Sequence, residues 1–221
     1  MDPQRISSSR TWFMIVLAAL FVLVITPFLA PLFMYLGWEF PARAIYFVYS
    51  FICHQLPQRS YFLFGSQFSY PLGTILNASG VSDPNNILAL RQFIGNPEMG
   101  WKVAWSDRMI SMYTSIPLAA LVWYPLRRRL PDLPLWGFLL MLLPMALDGG
   151  SHFLSDVQGA VTGFRASNLW LANLTGNSLP PSFYAGDAWG SFNSIMRMVT
   201  GLLFGMGIVW YGFPYLEEAF S

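Results

Sequence analysis

The length of its apolar runs constrains this chain more than any other feature. The runs at about Thr11–Leu36, Met109–Leu126, Leu135–Phe153 and about Ser191–Phe213 each reach the roughly 17–25 residues that a helix needs to cross a bilayer core. Backbone inside lipid must satisfy its own hydrogen bonds, so such runs are read as helices. Composition agrees. The chain is 55% hydrophobic and 10% charged, whereas soluble domains carry about 25% charged residues. The expected fold class is therefore all-α: a polytopic membrane helix bundle forming a single transmembrane domain over residues 1–221, with the lipid bilayer as its main partner. The net charge of +1 argues against nucleic acid as a partner.

The first run follows Arg5 and Arg10 but is too long for a signal peptide, and Pro31 disfavours cleavage after Ala30. It is read as a retained anchor, kinked by Pro27 and Pro31. A fifth stretch, Ala42–Cys53, has only about twelve residues and suits an interfacial or re-entrant helix better than a span. The positive-inside rule places Arg127–Arg129 in the cytoplasm. Loops at about 65–107 and 155–190 then lie outside, and the C-terminus lies inside. With Arg5 and Arg10 also inside, the segment Ala42–Phe64 must dip into the membrane and return. The competing arrangement lets Ala42–Phe64 span and puts the N-terminus outside. Both loops are long and aromatic, with Trp101, Trp105, Trp170 and Trp189, and are expected to cap the outer face or lie in its aromatic belt. A short helix is expected at Asn86–Ile94, just after Pro84. The expected localisation is the cell membrane, multi-pass.

Polar residues interrupt this apolar pattern in four places. Cys53, His54, Gln55 and Arg59 surround Pro57. Non-helical backbone at membrane depth is tolerated where protein or a water-filled cavity covers it, so this stretch either lines a cavity or forms a polar turn tied to carbonyls. Asp148, His152 and Asp156 recur at i, i+4 and i+8, one face of a helix. With His54 they form a candidate divalent-metal set, zinc for example. The plainer reading is a structural ion pair at Asp148, because a carboxylate in the membrane needs a partner. Asp107 and Arg108 open the second long run; Asp107 and Asp148 are the candidate catalytic carboxylates. Asn193 and Arg197 lie in the last run, and Arg197 needs a counter-charge, with Asp148 the first choice and Asp107 the second. Gly201, Gly205 and Gly207 predict close helix contact. In the expected orientation all these ionisable groups fall in the outer half, which predicts one polar pocket opening outward.

The pattern Cys53-His54-Gln55-x3-Arg59-Ser60, Asp107-Arg108, Pro144-Met145-Ala146-Leu147-Asp148-Gly149 and Ser191-x-Asn193-x3-Arg197-x2-Thr200-Gly201 resembles a prokaryotic family of predicted membrane proteins of unknown function. The resemblance covers roughly Ile45–Gly205. It implies a second cysteine where this chain has Ser106, and that departure undercuts a thiolate-pair metal site or a disulfide. The resemblance implies no activity.

Three functions are compatible with these features. The favoured one is a non-catalytic subunit, or a membrane protein that binds a ligand or partner in the pocket; other membrane subunits are then expected partners. The second is a metal-dependent, membrane-embedded hydrolase using His54, Asp148, His152 and Asp156, with metal-activated water. It lacks a dense motif such as HExxH. The third is a small transporter, which the apolar inner half of the bundle disfavours.

Overall fold

The computed structural model describes residues 3–220, with side chains from Arg10 onward, so Arg5 lies outside the described side chains. Four helices are long and apolar enough to cross a membrane. They are α1 (Pro3–Tyr35), α5 (Asp107–Leu126), α6 (Leu135–Val157) and α10 (Phe192–Phe220). Between α1 and α5 lie α2 (Glu39–Tyr49), a 3-10 turn (Pro57–Arg59), β1 (Ser60–Leu63), α3 (Leu72–Ser79), α4 (Ile87–Gln92), β2 (Gly95–Asn96) and β3 (Gly100–Ser106). Between α6 and α10 lie three one- or two-turn helices, α7 (Phe164–Ser167), α8 (Leu169–Leu174) and α9 (Pro181–Tyr184).

The four long helices fall where the apolar runs do, and α1 continues through Pro27 and Pro31. Many apolar side chains on them remain exposed, among them Ile15, Val22, Val122, Leu140 and Leu147. Such an apolar exterior suits lipid as solvent. The short loop helix starts after Asn86, whose side chain accepts a hydrogen bond from Ala89 N at 3.0 Å, an N-cap. The stretch Ala42–Phe64 contains no helix long enough for a fifth span. Its helix, α2, has 11 residues, roughly 16 Å at about 1.5 Å per residue, and the chain then turns into β1. Ala42, Tyr46 and Tyr49 make the buried face of α2, while Phe40, Phe47 and Val48 stay exposed.

The all-α expectation needs correction. The fold is mostly helical, but β1, β3 and β2 form a three-stranded antiparallel sheet in the order β1-β3-β2. Part of the expected loop at 65–107 is therefore strand. Turn formers dominate that loop, and six of the seven residues of β3 are buried. A strand buried on both faces shows no polar alternation to reveal it. Trp105 anchors β3 by stacking on Tyr113 of α5 at 4.8 Å and meeting Tyr49 of α2 edge-on at 5.3 Å. On the same strand Lys102 is fully buried, and its Nζ donates to Gln55 O at 2.8 Å and Arg91 O at 2.6 Å. Burial pushes its pKa down to about 7. A neutral amine keeps two N–H donors, matching the two carbonyls.

Helix α10 is central to the bundle, packing on both α5 and α6. A Cβ on Gly205 would stand 2.5 Å from Met112 O, and one on Gly201 would stand 3.0 Å from Met112 N. Glycine is therefore required for α10 to lie directly on the α5 backbone, as the Gly201–Gly205 spacing predicts. Gly207 faces α6 instead, beside Met141. At the end of the bundle carrying Arg127–Arg129, Arg127 Nε meets Glu217 Oε1 at 2.8 Å.

Two outcomes are expected from these contacts. Gly205→Leu should push α10 off α5 and cost about 1–3 kcal/mol, the usual range for overpacking, seen as a lower Tm in detergent; an unchanged Tm would mean that the helices slide apart freely. Lys102 binds fewer protons folded than unfolded between pH 7 and its ordinary value of 10.5. Stability should therefore rise with pH across that window, and Lys102→Met should flatten the slope in a pH series of denaturation curves.

Candidate functional site

The ionisable residues from the membrane helices and loops meet at the end of the bundle where α5 begins. Asp107 and Arg108 form the first turn of α5. Helix α6 continues through Gly149 and Gly150 to Val157, which keeps Asp148, His152 and Asp156 on one face. Arg197 projects from α10 and Arg59 from the 3-10 turn. Two further members come from the loop after α6: Arg165 on α7 and Asp187 after α9.

These residues form one lattice of alternating charge. Arg197 holds Asp107 through Nε at 2.8 and 3.0 Å and Nη2 at 2.8 Å. Its Nη1 reaches Asp187 Oδ1 at 2.7 Å. The other oxygen of Asp187 accepts from Arg59 Nε at 2.8 Å. Arg59 turns its two Nη atoms onto Asp156, both at 2.7 Å, a bidentate pair. A second branch runs from Arg108 Nη2 to Asp148 at 2.6 Å and on to Arg165 Nη2 at 2.5 Å. Arg108 N donates to Asp107 Oδ1 at 2.8 Å and joins the branches. Four arginines face four aspartates, so the lattice is charge-balanced, as buried ions require.

Outside the spans, the electrostatics follow from these pairs. Burial opposes charge on Asp187, but Arg59 and Arg197 outweigh it and hold its carboxyl well below the usual range. Burial likewise works against Arg59, and Asp187 and Asp156 more than compensate, raising its pKa above the ordinary arginine value. The pKa of His54 is pushed down to about 3, by desolvation on its protein-facing side and then by the positive charge of Arg59, although the residue keeps an exposed edge. The ring is therefore neutral near pH 7. Its Nδ1 accepts from Leu56 N at 3.2 Å, which leaves the proton on Nε2.

A cavity of about 280 Å³ lies against this lattice. Cys53, His54, Arg59, Arg108, His152, Asp156 and Arg197 contribute to its wall, and Ile52, Met109 and Phe153 supply apolar surface. Cys53 Sγ accepts from the backbone N–H groups of Gln55 at 3.4 Å and Ser106 at 3.3 Å. Its thiol lies 3.6 Å from Ser106 Oγ, the position where the family resemblance implies a second cysteine. Gly149 makes room for the neighbouring guanidinium, since a Cβ there would stand 2.7 Å from Arg108 Nη1.

The structure corrects several expectations from the sequence. Arg197 pairs with Asp107 and Asp187, not with Asp148. Asp148 is taken by Arg108 from α5 and Arg165 from α7, while Arg197 goes to Asp107, the second choice, and to Asp187. The metal set His54, Asp148, His152 and Asp156 does not assemble: among the described residues, no group of three or more His, Cys, Asp or Glu side chains is placed to hold a metal ion. The carboxylates of Asp148 and Asp156 are turned toward arginines instead. The same pairing occupies Asp107 and Asp148 as candidate bases. Gln55 and Asn193 serve the scaffold. Gln55 Nε2 donates to Tyr46 O at 2.8 Å. Asn193 Nδ2 donates to Arg165 O at 2.7 Å and Gly186 O at 2.9 Å, fixing the loop that carries Arg165 and Asp187.

The fold and site define a polytopic, mostly helical membrane protein with a charge-paired polar cavity at one end of its bundle. The family of predicted membrane proteins called DUF2085 matches residues 98–211, more than half of the chain, and the chain belongs to that family. The match contains every member of the lattice except Arg59. The chain is also similar to the uncharacterized protein MJ1492 of Methanocaldococcus jannaschii, at 29% identity over 153 residues, 66% of this chain and 75% of the relative. No solved structure matches.

Asp187 carries two arginines with a side chain only 14% exposed, whereas Asp156 is 30% exposed and faces Arg59 alone. Asp187→Asn should therefore cost more stability than Asp156→Asn, by analogy with the roughly 3–5 kcal/mol lost when a buried pair is broken. Parallel unfolding curves of the two variants in detergent check the order, and equal losses would contradict it.

Proposed function

We propose that this protein is a non-catalytic, ligand-binding membrane protein that holds a small molecule or a partner's polar group in the cavity beside the lattice. The observation behind this reading is the mutual saturation of the charged groups. Asp107, Asp148, Asp156 and Asp187 each accept from at least one guanidinium. A general base must be within reach of its substrate proton and hold a matched pKa, and carboxylates locked by arginine are poor bases. Pre-paired charges around a fixed cavity suit binding, because they need little rearrangement on occupation. A hydrolase would need ligands that now face arginines. A transporter would need polar groups along the bundle, whereas these gather at one end.

The same reading includes an orientation. The bundle sits in the cell membrane with the lattice and cavity toward the outside, and Arg127–Arg129 and the C-terminus in the cytoplasm, as positive-inside bias favours. A fluorescent protein fused to the C-terminus should fold and fluoresce, and alkaline phosphatase inserted near Asn177 should be active. The reverse pattern would overturn the orientation.

Native mass spectrometry of the full chain, extracted in mild detergent, tests the binding role. A retained small molecule or co-purifying membrane subunit is the expected result. A bare monomer under all extraction conditions, with measurable turnover of an added substrate, would replace this reading with an enzymatic one.

A further inference from the structure

The proposed cavity has a chemical polarity that its charge balance conceals. Arg59, Arg108 and Arg197 line it, but Asp156 is the only lattice carboxylate that does so. Asp107, Asp148 and Asp187 pair with these arginines but do not line the cavity. Helix α5 also begins here, adding the partial positive charge of a helix N-terminus. Among the charged groups of the wall, arginines thus outnumber carboxylates although the whole lattice is neutral.

The buried groups without partners at this surface point the same way. Among the described residues, Arg108 Nε and His152 Nδ1 are buried without a hydrogen-bond partner, and both residues line the cavity. A guanidinium nitrogen only donates. His152 Nε2 lies 3.1 Å from Arg165 Nη2. A guanidinium facing it forces Nε2 to accept, so the ring proton sits on Nδ1, which becomes a second donor. His54, with Nδ1 already accepting, offers Nε2–H at the same cavity. Three elements thus supply unspent donors, and neither side chain left unpartnered here offers an acceptor. A buried donor without a partner costs about 1–3 kcal/mol, which an acceptor-rich ligand would recover.

The rest of the wall is apolar. Ile52 is 48% exposed and Phe153, near the end of the membrane helix α6, is 68% exposed. The cavity wall therefore includes exposed apolar side chains, one of them on a helix long and apolar enough to cross a membrane. Its volume of about 280 Å³ sits at the lower end of the roughly 300–1,000 Å³ usual for small-molecule sites.

We infer that the cavity binds a phosphate-type oxyanion, presented as the head group of a membrane lipid or as the free ion, with Arg108 Nε and His152 Nδ1 donating to its oxygens. This rests on the ligand-binding reading above and names its ligand class. A lipid phosphate would seat its head against Arg108 and His152 while its chains leave between Ile52 and Phe153.

The test uses the full chain in a nonionic detergent at constant ionic strength set with chloride. Binding is followed by tryptophan fluorescence and Tm during titration with inorganic phosphate, with short-chain phosphatidic acid, and with short-chain diacylglycerol as the matched lipid without phosphate. Saturable stabilisation by phosphatidic acid but not diacylglycerol is expected, with Arg108→Gln weakening it at least tenfold. If inorganic phosphate alone reproduces the effect, the oxyanion assignment holds and the free ion is its source. His152→Ala leaves every arginine–aspartate pair intact and should weaken binding even if Arg108→Gln does not fold. Equal responses to phosphatidic acid and diacylglycerol, or responses unchanged in His152→Ala and Arg108→Gln, would overturn the inference. A different small molecule retained in native mass spectra alongside no phosphate response would overturn the oxyanion while leaving the binding role standing.

Discussion

The polar end of this protein depends on Arg197. A guanidinium on a membrane-spanning helix has few ways to remain charged, and each requires carboxylates brought to it by other parts of the chain. Here Asp107 comes from the start of α5 and Asp187 from the loop preceding α10. Satisfying Arg197 therefore fixes three distant segments at once. Asp187 then recruits Arg59, and Arg59 recruits Asp156 on α6. The second branch, Arg108–Asp148–Arg165, repeats this logic between α5, α6 and α7. Buried ion pairs are weak evidence of net stability, since desolvation offsets much of their attraction. Their best-supported effect is on arrangement: helices whose apolar faces would tolerate several rotations in lipid are left with one rotation that pairs every charge.

Small residues make this arrangement geometrically possible. Gly201 and Gly205 let α10 lie against α5 closely enough for Arg197 to meet Asp107 along the same interface. Gly149 leaves space for Arg108 to pass α6 on its way to Asp148. The sheet acts at a different scale. By pairing Ser60 with Ser106, it sets the 3-10 turn bearing Arg59 beside the first turn of α5, so a small β element positions groups for a helical site.

Much of the bundle was legible in the sequence because span length is a strong signal, and the four long runs became the four long helices. The i, i+4, i+8 pattern of Asp148, His152 and Asp156 also held, since α6 tolerates its two glycines. The gathering of His54, Asp107, Arg108, Asp148, His152 and Arg197 at one end was readable from their positions relative to the spans. Partner identity was not. Three candidate arginines and three candidate aspartates already balance, so nothing called for Arg165 and Asp187, which sit in a loop whose aromatic and glycine content suggested a cap. The unmet demand of Arg197 was the available clue. The sheet was hidden for another reason: β3 is buried on both faces and carries a lysine whose pKa burial lowers, so neither alternation nor composition announced a strand.

The position of Arg197 has a further consequence for biosynthesis. A membrane protein enters the bilayer from its N-terminus, and Asp107, Arg108 and Asp148 are delivered on α5 and α6 well before α10 is made. Until α10 arrives, Asp107 lacks its guanidinium and Arg59 has only part of its lattice. The nascent chain thus carries an ionisable group, Asp107, whose guanidinium partner arrives only with α10.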